Sequence, residues 1–151
     1  MKRLILLIML CLPMVAMAQV DHIAPLVDKY STMKDCSTVV LSGDMLKSMG
    51  ANAGVEYMQV IAVENSTLIG ELRAEIDSIA KGYNLLMSVN SNGAIVKVYS
   101  VTQVYKSDGR AGRKEMQEYL IVSITDDEGV VVRLVGNDIK LNEATSIFNR
   151  L

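Results

Sequence analysis

The chain has 151 residues, with 15 Lys and Arg against 17 Asp and Glu, one His, two Cys and no Trp. That length holds one domain around one core, and the acidic balance argues against a nucleic-acid binder working through its overall field. One His and two distant Cys do not make a zinc or other transition-metal ligand set, and nothing in the composition calls for a cofactor.

The chain opens with Lys2 and Arg3, followed by the apolar run LILLIMLCLPMVAMA, which ends in Ala16-Met17-Ala18 before Gln19. This is the layout of a secretory signal peptide, and its apolar core is short of the roughly 20 residues of a spanning helix. The expectation is export, with residues 1–18 cleaved near Ala18-Gln19 and residues 19–151 forming one α+β domain in the periplasm or outside the cell. No transmembrane segment is expected in the mature chain. Cleavage removes Lys2 and Arg3, so 13 basic residues face 17 acidic ones and the net charge falls to −4. It also leaves Cys36 as the lone cysteine, so no internal disulfide is expected; the strand-like setting CSTVVL reads it as a small buried hydrophobe.

DHIAPLVDKYS places Ile23, Leu26, Val27 and Tyr30 on one helical stripe, with Pro25 in the first turn, where its missing N–H costs little. CSTVVLS is a short β-branched strand. GDMLKSMG reads as a helical turn with Asp44 as cap, Met45, Leu46 and Met49 inward, and Gly50 as its stop. VEYMQVIAVE is a strand apolar on both faces in its second half, hence central. NSTLIGELRAEIDSIAKG is a helix capped by Asn65 or Ser66, with Leu68, Leu72, Ile76 and Ile79 inward and Gly82 closing it.

From there the pattern changes to hairpins. YNLLMSV and AIVKVYSVTQVY flank NSNG, a tight-turn sequence. EMQEYLIVSIT, the turn DDEG and VVVRLVG follow, and NEATSIFNRL closes the chain as a short helix with Ala144, Ile147, Phe148 and Leu151 inward. The order α-β-α-β-α-β-β-β-β-α implies a single α+β domain: a mixed, mostly antiparallel sheet, helices mainly on one face, and a C-terminal four-strand meander.

VDKYSTMKDCSTVVLSGDMLKSMG, YNLLMSV and EYLIVSITDDEGVVVRLVGNDIKLNEATSI together resemble a family of secreted Gram-negative bacterial proteins, the domain of unknown function 4252. The resemblance covers most of the mature chain in the same order. It implies an exported single domain of the bacterial envelope and supplies no catalytic residues.

The residues themselves offer little catalytic chemistry. Asp126, Asp127 and Glu128 are consecutive in a tight turn and diverge, unlike the convergent oxygens of a calcium site. No nucleophile elbow or Ser/Lys signature is present, and GRAG lies between strands rather than opening a phosphate-binding helix. Paired carboxylates remain open, which keeps a hydrolase as a minor alternative.

Two surface features suggest binding. With helices over the Leu120/Val132 face, the other face would show Tyr119, Ile121, Val131 and Arg133, joined by Tyr99 and Tyr105, a mixture that interfaces concentrate. The loop KSDGRAGRK carries Lys106, Arg110, Arg113 and Lys114 at the rim opposite the acidic turn. The reading is an exported non-enzymatic interaction domain of the envelope. It would use Arg110, Arg113, Lys114, Tyr119, Ile121 and Arg133 to hold an envelope protein or an anionic lipid or glycan. The competing reading is a carrier or sensor for a small apolar ligand, in a cavity lined by Met45, Met49, Met58 and Met87. The sequence leaves the oligomeric state open.

Overall fold

The computed structural model describes residues 21–50, 54–106 and 113–142. The expected signal segment 1–18, loop residues 107–112 with Arg110, and the expected last helix beyond residue 142 lie outside the described residues. The elements are α1 (Ala24–Ser31), β1 (Cys36–Ser42), α2 (Gly43–Ser48), β2 (Val55–Val63), α3 (Ser66–Ala80), β3 (Asn84–Ser91), β4 (Ala94–Lys106), β5 (Arg113–Ile124) and β6 (Gly129–Gly136). The six strands form one sheet in the order β1-β2-β6-β5-β4-β3. The chain is an α+β domain with the meander β3–β6.

All five strand pairings are antiparallel. The helical crossover through α3 carries the chain from β2 to the far edge of the sheet, so β2 and β3 run the same way without touching. The meander then folds back until β6 meets β2. The parallel relation that a crossover helix implies is therefore present, but three strands separate its members.

The helices form as their sequences direct. Asn65 caps α3, its side-chain oxygen accepting from the N–H groups of Thr67 and Leu68. Ile69, Leu72, Ile76 and Ala80 are buried along its inner stripe, with Leu68 and Ile79 on the flanks of the contact. In α1, Asp21 accepts from the N–H groups of Ile23 and Ala24 at 3.0 Å, which supplies the cap that Ile23 cannot. Glu75 ties the two helices, accepting from Tyr30 Oη at 2.8 Å and from Lys29 Nζ at 2.5 Å. Ser42, rather than the expected Asp44, caps α2. Of its three expected inward residues only Leu46 is buried; six residues give fewer than two turns, and at the corner of the sheet they seat one side chain.

The sheet has a helix face and an open face. On the helix face Ile61, Val63, Val131, Leu120, Val122 and Tyr99 pack under α1 and α3. On the open face a smaller cluster of Met58, Val132, Leu134, Leu46 and Ile139 is covered at one corner by α2. This corrects the expected pairing of faces. Leu120 stands opposite Arg133, and Ile121 opposite Val132, so Leu120 and Val132 point to opposite sides. The cause is the β5–β6 loop. Thr125–Glu128 is the whole turn, with Thr125 Oγ1 accepting from the N–H groups of Asp127 and Glu128, and Gly129 is already paired with Ile124. One residue of register exchanges the faces.

Candidate functional site

The expected site residues do not assemble into one patch. Arg133 was expected on an exposed face; it is 1% exposed on the helix face, beneath the helix layer. Tyr99, expected beside it in the open, is also buried there. Tyr119 and Ile121 do lie on the open face, half-buried against the Met58–Val132–Leu134 cluster. Arg113 closes the β4–β5 ladder opposite Lys106. Lys114 forms an exposed ion pair with Glu56, at the position where β2 shifts register between Val55 and Tyr57.

The strands that carry the basic loop make a distinct shape. β3 accompanies β4 only from Ala94 to Ser100, and β6 accompanies β5 only from Gln117 to Ile124. Beyond these limits the pairs Gln103–Met116, Val104–Glu115, Tyr105–Lys114 and Lys106–Arg113 continue as a two-stranded arm. At ~3.3 Å per residue the arm extends roughly 13 Å past its neighbours, ending in the described residues at the Lys106–Arg113 pair. The acidic turn Asp126–Glu128 lies at the other end of β5.

The outer edge of the sheet is as distinctive. All eight residues of β3, Asn84–Ser91, are exposed. Leu85, Leu86, Met87 and Val89 are 44–55% exposed, and the strand carries no charge or Pro. Sheet proteins ordinarily guard an edge with Lys, Pro or a covering element. Here a single bulge between Leu85 and Met87 interrupts it, leaving a regular stretch from Met87 to Ser91.

A buried polar cluster accounts for Arg133. Its Nε and Nη2 donate to the two oxygens of Glu118, at 3.0 and 3.1 Å, and Nη1 donates to Asp21 and to Gln59, each at 2.9 Å. The guanidinium carbon also sits 5.4 Å from the Tyr57 ring centre. Tyr83 Oη donates to Glu118 at 2.5 Å. Burial works against the charge on Arg133, but the Glu118 carboxylate more than offsets it and holds the guanidinium pKa above its ordinary value. Burial and the same carboxylate push the Tyr83 hydroxyl up. Among the described residues the charged groups of the cluster are paired with one another, Arg133 with Glu118 and Asp21, so its role is structural.

Asp21 links this cluster to the start of α1. Burial raises its pKa, but the Ala24 N–H, Arg133 and the Ile23 N–H outweigh that and leave it below the ordinary carboxylate value of 3.8. A group with a depressed folded pKa stabilises the fold above its unfolded pKa and loses that contribution as pH falls through the folded value. Asp21→Asn should therefore lower the urea midpoint at pH 7, and the gap to the parent should close below about pH 4. Paired denaturation series at pH 7 and pH 2 measure this; a gap that stays constant would show that the Asp21 charge does not contribute.

Among the described residues, no three His, Cys, Asp or Glu side chains are placed to share a metal ion, and no helix is long and apolar enough to cross a membrane. The expected Met-lined cavity is not formed. Met45, Met49 and Met87 are 46–53% exposed, whereas Met58 is fully buried in the core.

An open antiparallel sheet ending in a meander, with α1 and α3 on one face and α2 at a corner of the other, defines the class of this domain. The sequence model of the domain of unknown function 4252 matches residues 30–147, and the chain belongs to that family. No curated protein matches the chain.

Proposed function

We propose that the protein is an exported, non-enzymatic interaction domain of the cell envelope, processed near Ala18-Gln19. In this reading it captures an extended segment of another envelope protein by adding it to the edge of the sheet beside β3. The observation that carries the reading is the uncharged, wholly exposed edge from Asn84 to Ser91. Strand addition draws affinity from backbone hydrogen bonds and selectivity from alternate side chains. Past Asn84 the sheet margin passes to β4 and along the arm toward Lys106 and Arg113. A partner segment with acidic residues at one end would place them there.

The test is capture from an envelope extract. Val89→Lys puts a charge on the edge and should abolish recovery of the partner. Arg110→Ser with Arg113→Ser, leaving Lys114 with Glu56, should reduce recovery at low salt and have little effect at high salt. Hydrogen exchange of the captured complex should show new protection across residues 84–91. Undiminished capture by Val89→Lys would remove the edge from the reading, and binding to anionic vesicles in place of protein would replace the partner class.

A further inference from the structure

A crevice separate from the β3 edge lies where the C-terminal half of α3 leaves the helix face of β4 and β5. Its volume is about 150 Å³, comparable to an apolar cavity of roughly 150 Å³ that takes one benzene molecule. The floor is made by Ile76, Val122 and Ile124, all buried core residues. It is therefore rigid and formed before any ligand arrives. The rim is ionic: Lys97 from β4, and Arg73 and Asp77 one turn apart on α3.

These three rim groups make no ion pair or hydrogen bond with one another or with any described residue. Lys97 is the informative one. It shares the helix-facing side of β4 with Ile95 and Tyr99, stands opposite Val122, and is half-buried. A cation among apolar neighbours loses part of its hydration without gaining an anion. Arg73 faces the same opening. Together with Asp77 the rim carries one net positive charge in a chain that is otherwise acidic.

We propose that this crevice binds a small monocarboxylate with a compact apolar body, one aromatic ring or a short aliphatic chain. The carboxylate lies between Lys97 and Arg73 while the apolar body covers Ile76, Val122 and Ile124. Asp77 repels a second negative charge, so dianions are disfavoured. The site is independent of the β3 edge, and its ligand is a small molecule rather than a protein segment.

Benzoate, hexanoate, benzyl alcohol and phthalate are the probes, titrated into the purified protein and followed by amide chemical shifts. Benzoate and hexanoate should give saturable shifts at Ile95, Lys97, Tyr99 and Val122. Benzyl alcohol and phthalate should bind about tenfold or more weakly, the scale of one charge-assisted hydrogen bond. Lys97→Met keeps the apolar stem and should weaken benzoate about tenfold while leaving benzyl alcohol unchanged. Equal binding of benzoate and benzyl alcohol overturns the proposal, as does benzoate binding that Lys97→Met does not alter. The absence of saturable shifts at these amides also overturns it.

Discussion

Arg133→Met should lower the unfolding free energy by about 3–5 kcal/mol, the cost of leaving a buried charge without its partner. Glu118 is fully buried and receives two hydrogen bonds from the guanidinium; without them, among the described residues, only Tyr83 Oη still donates to it. Asp21 and Gln59 also lose a donor, but Asp21 is 41% exposed and can turn to water. The double variant Arg133→Met with Glu118→Gln should recover most of the loss, since it removes both charges and keeps an acceptor for Tyr83. Urea denaturation of the two variants provides the comparison, and a double variant no more stable than the single one would contradict the charge account.

The same pair has a second role that the double variant exposes. β6 is GVVVRLVG, apolar on both sides and buried along nearly its whole length. Its hydrophobic pattern therefore does not choose between two registers against β5. The Arg133–Glu118 pair adds to the choice made by the Thr125–Glu128 turn, because a one-residue slip would send Arg133 to the open face and away from Glu118. The double variant should regain stability yet show duplicated or broadened amide signals along β5 and β6. A single sharp set of signals would assign the register to the Thr125–Glu128 turn alone.

Gly136→Ala should cost about 3 kcal/mol, at the upper end of the overpacking range. A Cβ at this position would lie 2.0 Å from the Gly54 carbonyl oxygen, 2.9 Å from Val55 Cα and 3.0 Å from the Glu56 N. All three are backbone atoms, so no rotamer change relieves the contact. Relief would require β2 to part from β6 at the bulge that sets Glu56 toward Lys114. Gly70→Ala, at a helix position with open space around it, is the matched control and should be neutral or slightly stabilising. Thermal denaturation of both variants tests the contrast; equal behaviour would mean that the bulge yields freely.

Much of the architecture was legible because it rests on local signals. The Asn65 cap, the Leu72–Ile76 stripe and the Asn92-Gly93 turn each depend on residues close in sequence, and each is present where the pattern places it. Asn92 and Gly93 both have positive φ, as a tight hairpin turn requires. The relation between strands was less legible. Alternation within β5 and within β6 could be read, but the register between them depends on which residues form the turn, and Gly129 belongs to the strand. The identity of Arg133 as a core residue was missed with it. A signal did exist: Glu118 falls on the same alternation as Met116, Leu120, Val122 and Ile124, a carboxylate on a core-facing row. Such a residue needs a cation within reach, and Arg133 lies on the neighbouring strand. Its further partners Gln59 and Asp21 are 74 and 112 positions away, beyond any pattern in the local sequence. The crevice near Lys97 follows the same logic, as a lysine on the helix-facing row between Ile95 and Tyr99.

The place of β6 bears on when this chain can fold. It is the last of the six strands to be synthesised, yet it sits third in the sheet, joining β2 to β5. Until residues 129–136 have left the ribosome, β1–β2 and β3–β5 are fragments with no common strand, and α3 spans a gap between them. The fold therefore cannot close progressively from its N-terminus; it waits for β6. A polypeptide built this way stays loose throughout translation, and a truncation before Gly129 should yield an aggregation-prone chain rather than a smaller stable domain.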